Sequence, residues 1–135
     1  MNRLLGLLGV CFAGLTLLSC SSGQQLVSIT VTPASAIFGS PVPVGVPQDG
    51  IQLMAVGNYA HPPAAKDLTS QVVWKSNIPD VAPVDATGKL TAGPNCGVAG
   101  ITASFQTNDP TGNVVIGSMT ATVDGTGANC PVLPI

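Results

Sequence analysis

Side chains able to do chemistry are scarce in this 135-residue chain. It has four Cys, one His, four Lys or Arg, and six acidic residues that are all Asp. His61 lies in Asn58-Tyr59-Ala60-His61-Pro62-Pro63, a loop sequence. A histidine base needs an orienting acid and a nucleophile within reach, and no nucleophile motif accompanies it. Asp49-Gly50, Asp109-Pro110 and Asp124-Gly125 are turn pairs, since a short carboxylate bonds backbone groups just downstream. None has the D-x-D-x-D-G spacing of a calcium loop. Gly93-Pro94-Asn95 lacks the Lys and the following helix that would make a phosphate cradle. Lys66, Lys75 and Lys89 are the only cations after Arg3, too few for the basic face that nucleic acid needs. No catalytic residue, metal, cofactor or nucleic-acid partner is therefore expected.

The aromatic residues raise a different chemistry, stacking against a sugar ring. Trp74 is the single Trp. Its strand neighbours Val73 and Lys75 must face the opposite way, so Trp74 is expected to pin the core. Tyr59 is the better exposed candidate, but one Tyr is a poor sugar platform. Phe38 and Phe105 are expected in the core as well.

The elements that hold these residues begin with an address. Met1-Asn2-Arg3 is followed by the apolar run Leu4–Leu18, shorter than the about 20 residues that span a bilayer, as in a signal peptide. Leu17-Leu18-Ser19-Cys20 resembles the lipobox of bacterial lipoproteins, in which cleavage leaves the Cys as a lipidated N-terminus. The resemblance implies a signal peptide over residues 1–19, lipidation of Cys20, and membrane attachment through that anchor. An ordinary secretory signal with an incidental Cys20 is the alternative. Ser21 and Ser22 follow, with no Asp beside the Cys. In a Gram-negative host the resemblance then favours the outer membrane. Cys11 leaves with the signal, so an exported chain keeps Cys96 and Cys130, and a disulfide between them is the expectation.

Hydrophobic residues make up 45% of the chain and charged residues 7%, with 16 Gly and 12 Pro. That combination argues against disorder, which needs low hydrophobicity and high charge. Alternation at period two dominates. Val27, Ile29 and Val31 alternate with Ser28, Thr30 and Thr32, and Ile51, Leu53 and Ala55 with Gln52 and Met54. Val72 and Trp74 alternate with Val73 and Lys75, Ala99–Phe105 with Gly100–Gln106, and Met119–Val123 with Thr120 and Thr122. Shorter strands are expected at Val81–Val84 and Lys89–Ala92. These short half-apolar strands predict an all-β fold, an antiparallel β-sandwich of about seven strands.

Val27-Ser28-Ile29-Thr30-Val31-Thr32-Pro33 and Gln52-Leu53-Met54-Ala55 look like the opening strands of a bacterial Ig-like group 2 (BIG2) domain. Its most recognisable segment is Asp67-Leu68-Thr69-Ser70-Gln71-Val72-Val73-Trp74-Lys75-Ser76-Asn77. Val81-Ala82-Pro83-Val84-Asp85, Gly88-Lys89-Leu90-Thr91-Ala92 and Gly97-Val98-Ala99-Gly100-Ile101-Thr102-Ala103 follow in that family's order. The resemblance implies an immunoglobulin-like sandwich over residues 26–124, after a lipidated linker at 20–25 and before a tail at 125–135. It departs from the family in the long, Pro-rich connection Gly39–Gly50 and in Cys96 and Cys130. The family occurs in bacterial and phage surface proteins, adhesins among them.

In such a sandwich the first strand starts at the pole carrying the Gly57–Thr69 connection. The linker Ser21–Gln25 reaches at most about 18 Å, so that pole should face the membrane. Gly39–Gly50, Gly93–Cys96 and the end of the last strand then share the far pole. Cys130 can reach Cys96 there. Pro41, Pro43 and Pro47, with Val132 and Leu133 of the tail, form the candidate partner surface. The expected function is a lipid-anchored cell-envelope module, without catalysis, with a structural or protein-interaction role. Its partner would be an envelope protein or surface ligand; an adhesive or carbohydrate-binding module is the alternative.

Overall fold

The computed structural model describes residues 23–125 and Cys130. They form nine strands: β1 (Gln25–Thr32), β2 (Ser35–Phe38), β3 (Ile51–Gln52), β4 (Met54–Ala60), β5 (Ala64–Asp67), β6 (Val73–Ser76), β7 (Lys89–Leu90), β8 (Gly97–Gln106) and β9 (Val114–Val123). Among the described residues no helix is long and apolar enough to cross a membrane. One layer holds the sheet β1-β4-β5 and the short pair β3-β7; the other holds β2-β9-β8-β6. The chain is an all-β sandwich in the immunoglobulin-like arrangement, with its last two long strands paired beside β6.

β8 and β9 are the backbone of the molecule. They pair antiparallel from Gly97↔Val123 to Gln106↔Val114 without a register shift, and their inner positions Ala99, Ile101, Ala103, Met119, Ala121 and Val123 are buried. Leu53 and Leu90 from the facing layer, with Ile101 and Val123, are the largest fully buried side chains. Two layers of small and β-branched residues therefore close on a thin core. Gly117 lets β1 cross close above β9: a side chain there would lie 2.5 Å from the Ile29 carbonyl oxygen.

The first strand differs from its expected alternation. A register shift between Leu26 and Ser28 inserts one residue into β1. Leu26, Ile29 and Val31 face the core, while Val27 is 61% exposed. Such a bulge re-aims every residue on one side of it, and a run of alternating types conceals it. Pro33 then ends the ladder, having no N–H to donate. The chain crosses to the other layer, where β2 runs parallel to β9. Among the described residues this is the one parallel pairing.

Strand count also differs from about seven. β2 and β5 were not anticipated, and β3 and β4 are halves of one expected strand, interrupted at Leu53. Val81–Val84 is not a strand. Val81 and Ala82 are buried in a turn whose amides bond the Ile78 carbonyl, and only Val84 forms a bridge, to Leu90. Lys89–Ala92 is a strand only over its first two residues.

Candidate functional site

The two poles are arranged as the strand directions require. Gln25 pairs with Ala60, so β1 starts beside the β4–β5 hairpin. β2 and β9 end together at the other pole, where the Asp124 amide donates to the Phe38 carbonyl at 2.8 Å. Cys96 and Cys130 form a disulfide there, with a Cα–Cα distance of 4.8 Å and a sequence separation of 34. Gly125 is wedged between this bond and Pro41: a Cβ on it would lie 2.7 Å from Pro41 Cδ and 3.3 Å from Cys96 Sγ. The disulfide and the start of the Pro-rich connection therefore lie on either side of Gly125, just past the end of the last strand.

The rest of that connection is held at two further points. The Val42 amide donates to the Gly93 carbonyl at 2.8 Å. Gln48 Nε2 donates to the Ala92 carbonyl at 2.8 Å, and the Ala92 amide donates back to Gln48 Oε1 at 3.0 Å. The Gln48 side chain thus acts as one residue of a strand laid against residue 92. Gly93 is pressed against the turn that follows β6, its Cβ position 2.2 Å from the Asp80 carbonyl oxygen. Its amide donates to Val81, and the Asn95 amide donates to Asp80.

Between these anchors the chain makes one turn. The Val46 amide donates to the Pro43 carbonyl at 3.2 Å, and Gly45 has φ +86°. A type II turn requires that positive φ at its third position, where glycine is favoured. Val44 is 88% exposed and Val46 49% exposed. Pro43 and Pro47 are exposed and flank the turn, and Pro41 is half-buried at its root. This is a preformed, uncharged tip that holds two apolar side chains away from the core. A partner's apolar socket that buried both would gain up to about 1.5–3 kcal/mol from each, with little ordering cost because the turn is already fixed.

The other singled-out residues are placed as follows. Trp74 is 8% exposed, and its indole N–H donates to the Thr69 carbonyl at 3.0 Å. Gly88, at φ +82°, gives the ring room: a Cβ there would lie 2.9 Å from Trp74 Cε2. Phe38 and Phe105 are only partly buried and pack at the margins of the core. Tyr59 is also partly buried, with the Lys66 ammonium 4.7 Å from its ring centroid. His61 is exposed at the β4–β5 hairpin tip with φ 57°.

Asp85 and Asp109 organise turns. Asp85 accepts from Thr87 Oγ1 at 2.6 Å and from the Thr87 and Lys89 amides, and the Thr87 hydroxyl leads in lowering its pKa. Thr111 and Thr107 hold Asp109 down to about 2. Among the described residues no three of His, Cys, Asp or Glu assemble as a metal-binding set. Cys20, Val132 and Leu133 lie outside the described residues.

What sequence reasoning missed is the Gln48–Ala92 clamp, whose partners are 44 residues apart, and which no local pattern announces. Compared with known proteins, the chain matches no family model and no curated protein, so its function is argued from this geometry.

Proposed function

We propose that this chain is a lipid-anchored module of the bacterial cell envelope that docks another envelope protein through the pole opposite its anchor. In this reading Cys20 carries the lipid, the sandwich is a BIG2-type domain, and the turn Pro43–Val46 is the contact. The observation that carries it is that turn: an uncharged tip with Val44 88% exposed, bonded to the 92–93 segment on both sides. Val44 is the most exposed large hydrophobic among the described residues, and it stands on a fixed turn, as a docking anchor on a rigid frame would. The lipobox-like Leu17-Leu18-Ser19-Cys20 supports the anchor. Two acyl chains would hold it stably, where one chain is marginal. The scarcity of acid–base groups supports a role without catalysis.

Two variants in intact cells test the reading. Cys20→Ser should abolish metabolic labelling of the protein with a radioactive fatty acid, and Val44→Asp should leave it labelled and folded but abolish crosslinking to its envelope partner. Labelling that survives Cys20→Ser, or crosslinks that survive Val44→Asp, would contradict it.

A further inference from the structure

The opposite pole carries a cavity that the docking reading does not use. At the end where β1 begins, residues of β1, β4, β8 and the segment after β8 line a space of about 590 Å³. That lies within the about 300–1,000 Å³ of small-ligand sites. Leu26 and Tyr59 line it from one sheet and Phe105 from the other. Gln25, Asn108 and Asp109 form its rim.

The rim carries several hydrogen-bonding groups. The Gln25 and Asn108 side-chain amides bond no other described residue. Asp109 is turned so that Oδ1 accepts from the Thr111 and Asn113 amides and the Thr111 hydroxyl. Its Oδ2 accepts only from Thr107 Oγ1, at 2.7 Å, which leaves a lone pair open. Those bonds fix the carboxylate before any ligand arrives. On the wall, Lys66 sits over the Tyr59 ring and also bonds the Gln24 side chain, which in turn donates to the Pro62 carbonyl. Tyr59 is therefore held in place from the side of the hairpin.

We infer that this cavity binds an uncharged pyranose ring, with Tyr59 and Phe105 against its C–H face and Gln25, Asn108 and Asp109 on its hydroxyls. An acyl chain fits the observations worse. It would strip water from the Asp109 carboxylate and two amides without replacing their hydrogen bonds. With Asp109 on the rim and the Lys66 ammonium over Tyr59, this end of the molecule offers no net charge to favour an ionic ligand. A hydroxylated ring satisfies both the apolar wall and the polar rim. The inference does not depend on the docking role of the far pole, and either can fail without the other.

Saturation-transfer NMR on the full chain, with methyl β-glucopyranoside and methyl N-acetyl-β-glucosaminide as probes, tests it. Binding with Kd near 1 mM is expected for one ring on an open site. Tyr59→Ala and Asn108→Ala should each weaken binding about tenfold, the equivalent of one lost contact. Asn108→Ala should leave the unfolding midpoint unchanged, which separates loss of a contact from loss of the fold. Phosphatidylcholine vesicles carrying a glucosyl diacylglycerol distinguish the source of the ring. Tighter binding there than to the methyl glycoside assigns a lipid headgroup, and equal binding assigns a free glycan. No binding to sugars or vesicles, or binding unchanged by both substitutions, overturns the inference.

Discussion

Removing the Cys96–Cys130 bond should cost this domain a large part of its stability, and the size of the effect can be worked from the chain. The bond closes a loop with a sequence separation of 34. The loss of unfolded-chain entropy for such a loop is about 12–13 cal/mol/K, or about 4 kcal/mol at 25 °C. For a domain of about 100 residues, with a urea dependence of about 1–1.5 kcal/mol/M, the midpoint should fall by about 3 M. The melting temperature should drop by about 15–30 °C. Cys96→Ser, Cys130→Ser and the double variant should all lose the same amount, within about 0.5 kcal/mol, because each removes the same crosslink. Hydrogen exchange should also accelerate at Val42 and Asp124, whose amides bond Gly93 and Phe38 at the braced pole. The assay is equilibrium urea denaturation followed by Trp74 fluorescence, oxidised against reduced. A loss under about 1 kcal/mol, or single variants that differ from the double, would refute the reasoning.

Three further perturbations have signs fixed by the geometry. Gly88→Ala forces a side chain into φ +82° and against the Trp74 ring; a destabilisation of about 2 kcal/mol or more is expected, with a shifted Trp emission. Gln48→Ala removes both bonds to residue 92 and should cost about 1–3 kcal/mol in urea titrations, with faster exchange at the Ala92 amide. Asp109 has a folded pKa lowered to about 2 by the Thr111 and Thr107 hydroxyls. Its contribution is therefore present above the unfolded value of about 3.9 and lost as pH falls through about 2. Asp109→Asn should be less stable than the wild type at pH 7, and the two should converge in thermal melts as pH drops from about 4 to about 2.

The sequence was most legible where a strand is long, half-buried and regular. Ala99–Phe105 and Met119–Val123 alternate cleanly because β8 and β9 pair without a shift. It was least legible where one residue changes the phase. Val27 looks like the first inward residue of its run, yet the bulge hands that place to Leu26. Ala64–Asp67 carries no β-branched or aromatic residue, so β5 exists because the hairpin brings it beside β4, not through its own propensity. Val81–Val84 has the composition of a strand, but Ile78 captures the Val81 and Ala82 amides in a turn.

The pole that holds Cys96 could be located from strand directions, and the disulfide from counting cysteines under the expectation of export. The way the Pro-rich connection is held could not be read. It depends on Gln48 meeting Ala92 and on Val42 meeting Gly93, contacts that arise only once the layers are packed. The same holds for the cavity, because Tyr59 and Phe105 lie on different sheets and line one space only once the sheets are packed.

The central claim is that the braced turn at the far pole is where a partner docks. A photo-crosslinking residue at position 44, compared in intact cells with one at position 116 on the outer sheet face, tests it most directly. Both sites are exposed, with Val44 at 88% and Ile116 at 60%. The account predicts a discrete crosslinked envelope protein from position 44 and none from position 116. Crosslinks from position 116 alone, or the same products from both sites, would contradict it.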